Sequence, residues 1–165
     1  MSEITIRPAI PDDAALILRF IRALAVYERE PDAVVATEET LIQHGFGPEP
    51  YFHCLIAELD RIPAGFAFYF FDYSTWLGAP GLYLEDLFVD PEFRGHGLGK
   101  ALLERLAVIA VERGCARMKW EVLDWNEPAI EFYRAMGAEF LDEWRNVRLS
   151  GDALRRLAGA EAVAS

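Results

Sequence analysis

Little in this chain is built for metals, disulfides or membranes. Its two cysteines, Cys54 and Cys115, stand alone, one in a strand-like run and one at a helix end, with no Cys-x-x-Cys spacing. Isolation of that kind reads as two buried thiols, and a disulfide would need a proximity that spacing does not supply. The three histidines, His44, His53 and His96, have neither metal-ligand spacing nor clustered carboxylates, so no metal site is expected. No apolar run approaches the length of a membrane span, and the start MSEITIRPAIPDD lacks the cationic-then-apolar order of a signal, which leaves the cytoplasm as the default location. Positive charge is also short: Asp and Glu outnumber Lys and Arg by 27 to 16, for a net charge of −11. Nucleic acid and anionic membranes both demand a basic face, so neither is an expected partner. A cationic ligand suits the balance, and so does plain solubility. Internal repeats, linkers and low-complexity segments are missing as well.

What is present is a large apolar fraction. With 53% apolar residues over 165 positions the chain has material for one core, and it reads as one domain over 1–158 with a loose tail at 159–165. Eleven Phe, six Tyr and four Trp argue against disorder. Ile4 to Arg7 alternates as a first strand stopped by Pro8. Asp12 or Asp13 can cap a helix whose Ala15, Leu18, Ile21, Leu24 and Ala25 share one face, until Pro31 ends the pattern. Thr37 can cap a second, short helix, Glu38 to Gln43. Tyr51 to Leu59 reads as a strand, Asp60-Arg61 as a hairpin turn, and Gly65 to Tyr73 as a central strand apolar on both faces. The loop from Ser74 to Gly81 carries an exposed-looking Trp76.

The stretch Leu82 to Lys100, LYLEDLFVDPEFRGHGLGK, organises the rest. A strand to Val89 turns at Asp90-Pro91 and passes through a glycine-spaced loop into a helix. Glycines at 95, 97 and 99 let a ligand approach the backbone, and the N–H groups of a helix's first turn favour an anion such as a phosphate. Such a loop also serves as a plain tight turn. Leu98, Leu102, Leu103, Leu106, Ile109 and Ala110 then recur at helical spacing until Gly114. Arg117 to Leu123 follows as a parallel strand, Pro128 to Met136 as a helix closed by Gly137, and Phe140 to Leu149 as a last strand, before Ser150 caps a short final helix. The order is β-α-α-β-β-β-α-β-α-β plus that helix, an α/β fold with a mixed central sheet and helices on both faces.

The loop lacks the Gly-Lys-Ser/Thr ending of a nucleotide P-loop, and it lacks the full spacing and distal acid of a dinucleotide fingerprint. Its Arg94-x-x-Gly97-x-Gly99 resembles the acyl-CoA signature of the GCN5-related N-acetyltransferase (GNAT) family. The segments ITIRPA, HGFG, YFHCLIAE, the organising stretch and EVLDWNEPAIEFY align in order with its diamine branches, the spermidine/spermine and thialysine acetyltransferases. The resemblance implies acetyl-CoA as co-substrate, no metal, a small cationic amine as substrate, and a homodimer in which Phe140 to Leu149, with Trp144, could serve as an edge. It assigns Arg94, Gly95, His96 (by its backbone), Gly97, Leu98, Gly99 and Lys100 to the pyrophosphate. Leu87, Phe88 and Val89 go to pantetheine, in a gap where the organising strand and the next parallel one splay apart. Asn126 goes to the cofactor as well.

An alkylamine must lose a proton before it attacks a thioester, and a carboxylate can take it. Glu85 and Asp86 lie midway along the organising strand with side chains expected on opposite faces, so that one of them faces substrate. The resemblance makes Glu85 the proton acceptor and Tyr133, which also contacts the cofactor, the donor to the departing sulfur. It puts Tyr27, Glu28, Trp76, Glu85 and Asp86 on the substrate side, where acids and aromatics suit a cationic chain. By themselves these residues have plainer readings: a structural salt bridge for Glu85, a core stripe for Tyr133, a turn residue for Asn126, a solvated helix end for Glu28. YSTW and VLDWN resemble the thialysine branch more closely, and Ser74 replaces a loop acid of the polyamine branch. A CoA-binding module without turnover and a protein-lysine acetyltransferase are the alternatives.

Overall fold

A computed structural model of the chain describes residues 2–160. One sheet runs in chain order through β1 (Ile4–Pro8), β2 (His53–Leu59), β3 (Ile62–Ser74), β4 (Ala79–Val89) and β5 (Met118–Lys119). The first four strands pair antiparallel, and β5 joins β4 in parallel. The helices are α1 (Ala14–Tyr27), α2 (Glu38–Gly45), α3 (Leu98–Glu112), α4 (Glu127–Ala135) and α5 (Gly151–Leu157). The mixed α/β sheet expected from the sequence is therefore present. The chain up to Leu123 and the chain from Asp124 form two compact units, each described by itself below.

In the first unit, strand alternation divides the apolar residues between two faces. Cys54, Ile56, Phe66 and Phe88 meet Ile17, Phe20 and Leu24 of α1 and Leu41 of α2 in one cluster. Phe20 stacks on Phe66 with ring centres 5.4 Å apart. Burying a side chain of this size stabilises the fold by about 2–3 kcal/mol, and the ring pair adds about 1 kcal/mol. Leu55, Leu82 and Leu84 alternate to the other face, and the buried stripe of α3 is Leu98, Leu102 and Leu106. The β2–β3 hairpin turns on Asp60 and Arg61, both left-handed at φ 51° and 69°, as a two-residue loop requires.

Asp13 sits at the start of α1 but makes no capping bond there. Its carboxylate instead receives both Arg7 terminal nitrogens, at 2.8 and 3.0 Å, and the Ile10 N–H at 2.8 Å. Thr37 caps α2 as expected, accepting from the Thr40 N–H at 3.2 Å. Cys54 is buried and Cys115 half-buried, both as free thiols. Burial pushes the Cys54 thiol up. Among the described residues no helix is long and apolar enough to cross a membrane, and no group of three metal-ligating side chains gathers.

Two expected strands change. The strand expected over Arg117 to Leu123 shrinks to Met118–Lys119, because its ladder to β4 consists of Leu82↔Met118 and Tyr83↔Lys119 alone. In the second unit, Phe140 to Leu149 forms no strand. A bond from the Trp144 N–H to the Leu141 carbonyl, 3.1 Å, folds Asp142 and Glu143 into a turn, and the alternating apolar residues beyond stay exposed, Val147 at 93%. A strand needs a neighbour for its backbone groups, and among the described residues this segment has none. The order that results is β-α-α-β-β-β-α-β-α-α. In this unit α4 ends where Gly137 turns left-handed at φ 92°. Residues 161–165, most of the expected tail, lie outside the described residues.

Candidate active site

The end of the β4–β5 ladder creates the site. Past Tyr83↔Lys119 the two strands stop pairing, so the β5-side edge of β4 from Leu84 to Val89 has no ladder partner among the described residues. Its backbone groups are left to bond something else. Leu87, Phe88 and Val89, expected to offer backbone to a pantetheine chain, lie on this open stretch. Phe88 is buried beneath α1, so only its backbone is available for that purpose.

The stretch ends at the glycine loop. Gly95 and Gly97 are both left-handed, at φ 85° and 84°, and a Cβ added at either would meet no atom within 4 Å. Gly97 is the cap of α3, and the Ala101 N–H already returns to its carbonyl at 3.0 Å. The N–H groups of Leu98, Gly99 and Lys100 precede the first helical bond, that of Ala101. An anionic group fits this cradle on shape, on donors and on the helix dipole. Arg94 turns its side chain elsewhere: Nε donates to the Val89 carbonyl at 3.1 Å and the guanidinium lies 5.2 Å from the Tyr27 ring centre. Lys100 faces Glu104 at 3.8 Å on the helix surface, and His96 is exposed.

The acids depart from the expected alternation. Phe68 pairs with Asp86 and Tyr69 with Leu84, which leaves Glu85 as the extra residue of a β-bulge. The strict alternation from which opposite faces were expected for Glu85 and Asp86 is therefore interrupted between them, because a bulge breaks the period of two. Asp86 shares the face of Phe68 and lines a cavity of about 290 Å³ with Glu28, Glu30, Ile21, Leu24, Val34 and Leu123. Burial, then the charges of Glu85 and Glu28, push the Asp86 carboxyl up to about 7. Glu85 is raised by burial and then by Glu121, and Glu28 by burial and then by Glu85. No Lys or Arg pairs with Glu28, Glu85, Asp86 or Glu121 among the described residues. The site is therefore negative, partly desolvated and without its own counter-charge.

Tyr83 and Glu121 were not singled out by the sequence. The Tyr83 hydroxyl donates to the Glu121 carboxylate at 2.9 Å, and Tyr83 stacks on Phe70 with centres 5.1 Å apart. An acid inside the strand-like run RMKWEVL was the signal available. Trp76 is 88% exposed in the turn after β3 and does not line the cavity. Ser74 is buried and caps that turn by accepting the Leu77 N–H at 3.1 Å. In the second unit, Asn126 precedes the first turn of α4, and Tyr133 lies on that helix, half-buried and 5.7 Å from the Phe132 ring.

A mixed sheet opened between two parallel strands, with a glycine-capped helix start after the first, is an acetyltransferase-type fold. The chain belongs to the acetyltransferase (GNAT) family, whose sequence profile matches residues 18–138. It is an N-acetyltransferase. It is 42% identical over 170 residues to the thialysine N-epsilon-acetyltransferase of Sus scrofa, covering 96% of this chain and 99% of that one. It is 32% identical to an L-ornithine N5-acetyltransferase of Arabidopsis thaliana, covering 92% and 86%. Among solved structures, an integron cassette protein of V. cholerae superposes with a TM-score of 0.77 at 27% identity, over 94% of this chain and 97% of that one.

Proposed function

We propose that the chain transfers an acetyl group to a small primary amine by direct attack within a ternary complex, with acetyl-CoA as donor. Acetyl-CoA supplies the acetyl group as a thioester. The observation that supports this best is the ladder that ends at Tyr83↔Lys119, with Glu85 and Asp86 at the break and no counter-ion beside them. Residues 94 to 100 hold the pyrophosphate through backbone N–H groups, and the open edge at Leu87 to Val89 bonds the pantetheine arm. Glu28 and Asp86 draw the ammonium form of the substrate into the cavity, and Tyr27 covers the helix end beside it.

Glu85 accepts the amine proton, a step that an alkylamine titrating near 10.4 requires at neutral pH. Tyr133 gives its phenolic proton to the departing sulfur, and Asn126 holds the carrier. One specific observation favours a second acceptor: the Asp86 carboxyl, raised to about 7, is poised to take a proton near neutral pH. Glu85→Gln and Asp86→Asn separate the two, since the variant that lacks the acceptor loses kcat and the other loses mainly amine affinity. The relatives' printed substrates, thialysine and ornithine, both end in a primary amine on a short chain, and that class is proposed here. The resemblance also carries a homodimer, which light scattering tests.

The deciding assay measures thiol release with acetyl-CoA and a panel of diamines, polyamines, lysine, ornithine and thialysine. Release with at least one small amine is expected, and Tyr133→Phe should cut turnover tenfold or more while acetyl-CoA affinity changes less than twofold. No release with any amine would overturn the reading, as would turnover on peptide lysines alone.

A further inference from the structure

The ladder between β4 and β5 fixes where Glu121 stands. Tyr83 and Lys119 are the last paired residues, and Glu85 and Glu121 each follow two positions later, on the two flanks of the opening. Tyr83 stacks on Phe70, which by strand alternation shares the face of Phe66 and Phe68, the face that α1 covers. The bond from the Tyr83 hydroxyl, 2.9 Å, therefore holds the Glu121 carboxylate on the amine side of the opening. Glu121 also lies close enough to Glu85 for its charge to act there. The cation nearest in sequence, Lys119, is engaged at 3.6 Å by Asp72. Glu121 is thus held by a neutral donor, at an opening whose far flank carries the proposed proton acceptor.

We infer that Glu121 is a specificity-determining residue of the amine site, selecting substrates that carry a second cationic group and no carboxylate. One nitrogen of such a substrate sits at Glu85 to be acetylated, and the other, as an ammonium, pairs with Glu121. An α-carboxylate near that second nitrogen would meet Glu121, Glu85 and Asp86 with like charge. The inference rests on the amine-acetyltransferase reading above. It separates this chain from its relatives that act on diamino acids: here an alkyl diamine is the better substrate.

Ornithine and 1,4-diaminobutane differ by one carboxylate, and butylamine lacks the second nitrogen, so the three isolate each feature. The wild type should prefer 1,4-diaminobutane over both in kcat/KM. Glu121→Gln keeps the shape of an exposed side chain while removing its charge, and should lower each of those two ratios about five- to tenfold, the size of one partly desolvated charge pair. Tyr83→Phe releases Glu121 without removing it, and should lower both ratios about two- to threefold with acetyl-CoA affinity held within twofold. Ratios unchanged within twofold in Glu121→Gln overturn this inference and leave the acetyltransferase reading standing. A wild type that prefers ornithine overturns it too. A wild type that releases no thiol with any amine overturns both.

Discussion

Replacing Asp86 with Asn should make the protein more stable and a worse enzyme, by amounts that depend on pH. The carboxyl is pushed from its ordinary 3.8 up to about 7 by burial and by Glu85 and Glu28. Its native value is raised, so between pH 3.8 and 7 the folded chain binds the proton that the unfolded chain has already released. Stability from this group is then full at low pH and lost as pH rises through the native value. Each pH unit is worth 1.36 kcal/mol, so the ionised native state is disfavoured by about 4 kcal/mol at most, and solvent entering the cavity reduces this. Between pH 5 and pH 8 the loss is about 2.5 kcal/mol, which for a chain of this length is about 5–8 °C in melting temperature. Asn carries no charge to lose. The melting advantage of Asp86→Asn over the wild type should therefore grow by about that much from pH 5 to pH 8, while its kcat/KM for the preferred amine falls at least tenfold. Thermal melts at the two pH values decide it: an advantage equal at both would refute a desolvated, repelled carboxylate at this position.

The remaining predictions concern the frame around the site. Among the described residues, Asp13→Asn leaves Arg7 with only Glu58, at 3.3 Å, as an acidic partner, and should cost about 2 kcal/mol, or about 4–8 °C in the melt. The Arg7 guanidinium holds the Asp13 carboxyl below its ordinary range, so this stabilisation is present above pH 3.8 and disappears as pH falls through the lower native value. The two proteins should then converge in acid; a gap that persists there would mean that packing, not charge, carries the effect. Gly97→Ala forces an L residue to φ 84° at about 1–2 kcal/mol and puts a methyl into the open cradle. Calorimetry should show acetyl-CoA binding at least tenfold weaker, and weakening below twofold despite the strained cap would argue against the cradle.

Most of the frame could be read from residue periodicity because each element is locally consistent. The leucines of α3 at helical spacing, the left-handed pair Asp60-Arg61 and the Thr37 cap all carry their structure in a few neighbouring positions. Phe140 to Leu149 failed for the opposite reason. Alternation there states only that a strand could form, whereas a strand exists when another backbone takes up its hydrogen bonds. Asp13 shows the same limit on a smaller scale: a capping residue type stood in the right place, and a distant Arg7 claimed its carboxylate.

The site is harder to read because its key features are interruptions. The glycine loop was legible, since Gly95 and Gly97 take a left-handed backbone that glycine adopts at least cost. The end of the β4–β5 ladder was not, because the run RMKWEVL looks equally strand-like before and after Lys119. The bulge at Glu85 was not legible either. Nothing in LYLEDLFV says that one residue goes unpaired, yet that extra residue interrupts the alternation along the strand. Glu85 and Asp86 both lie close enough to Glu28 for charge to act between them, and the group is mutually repelled. On the function proposed above, the ammonium group of a substrate would relieve that repulsion, so that binding energy and the readiness to take a proton would come from the same carboxylates.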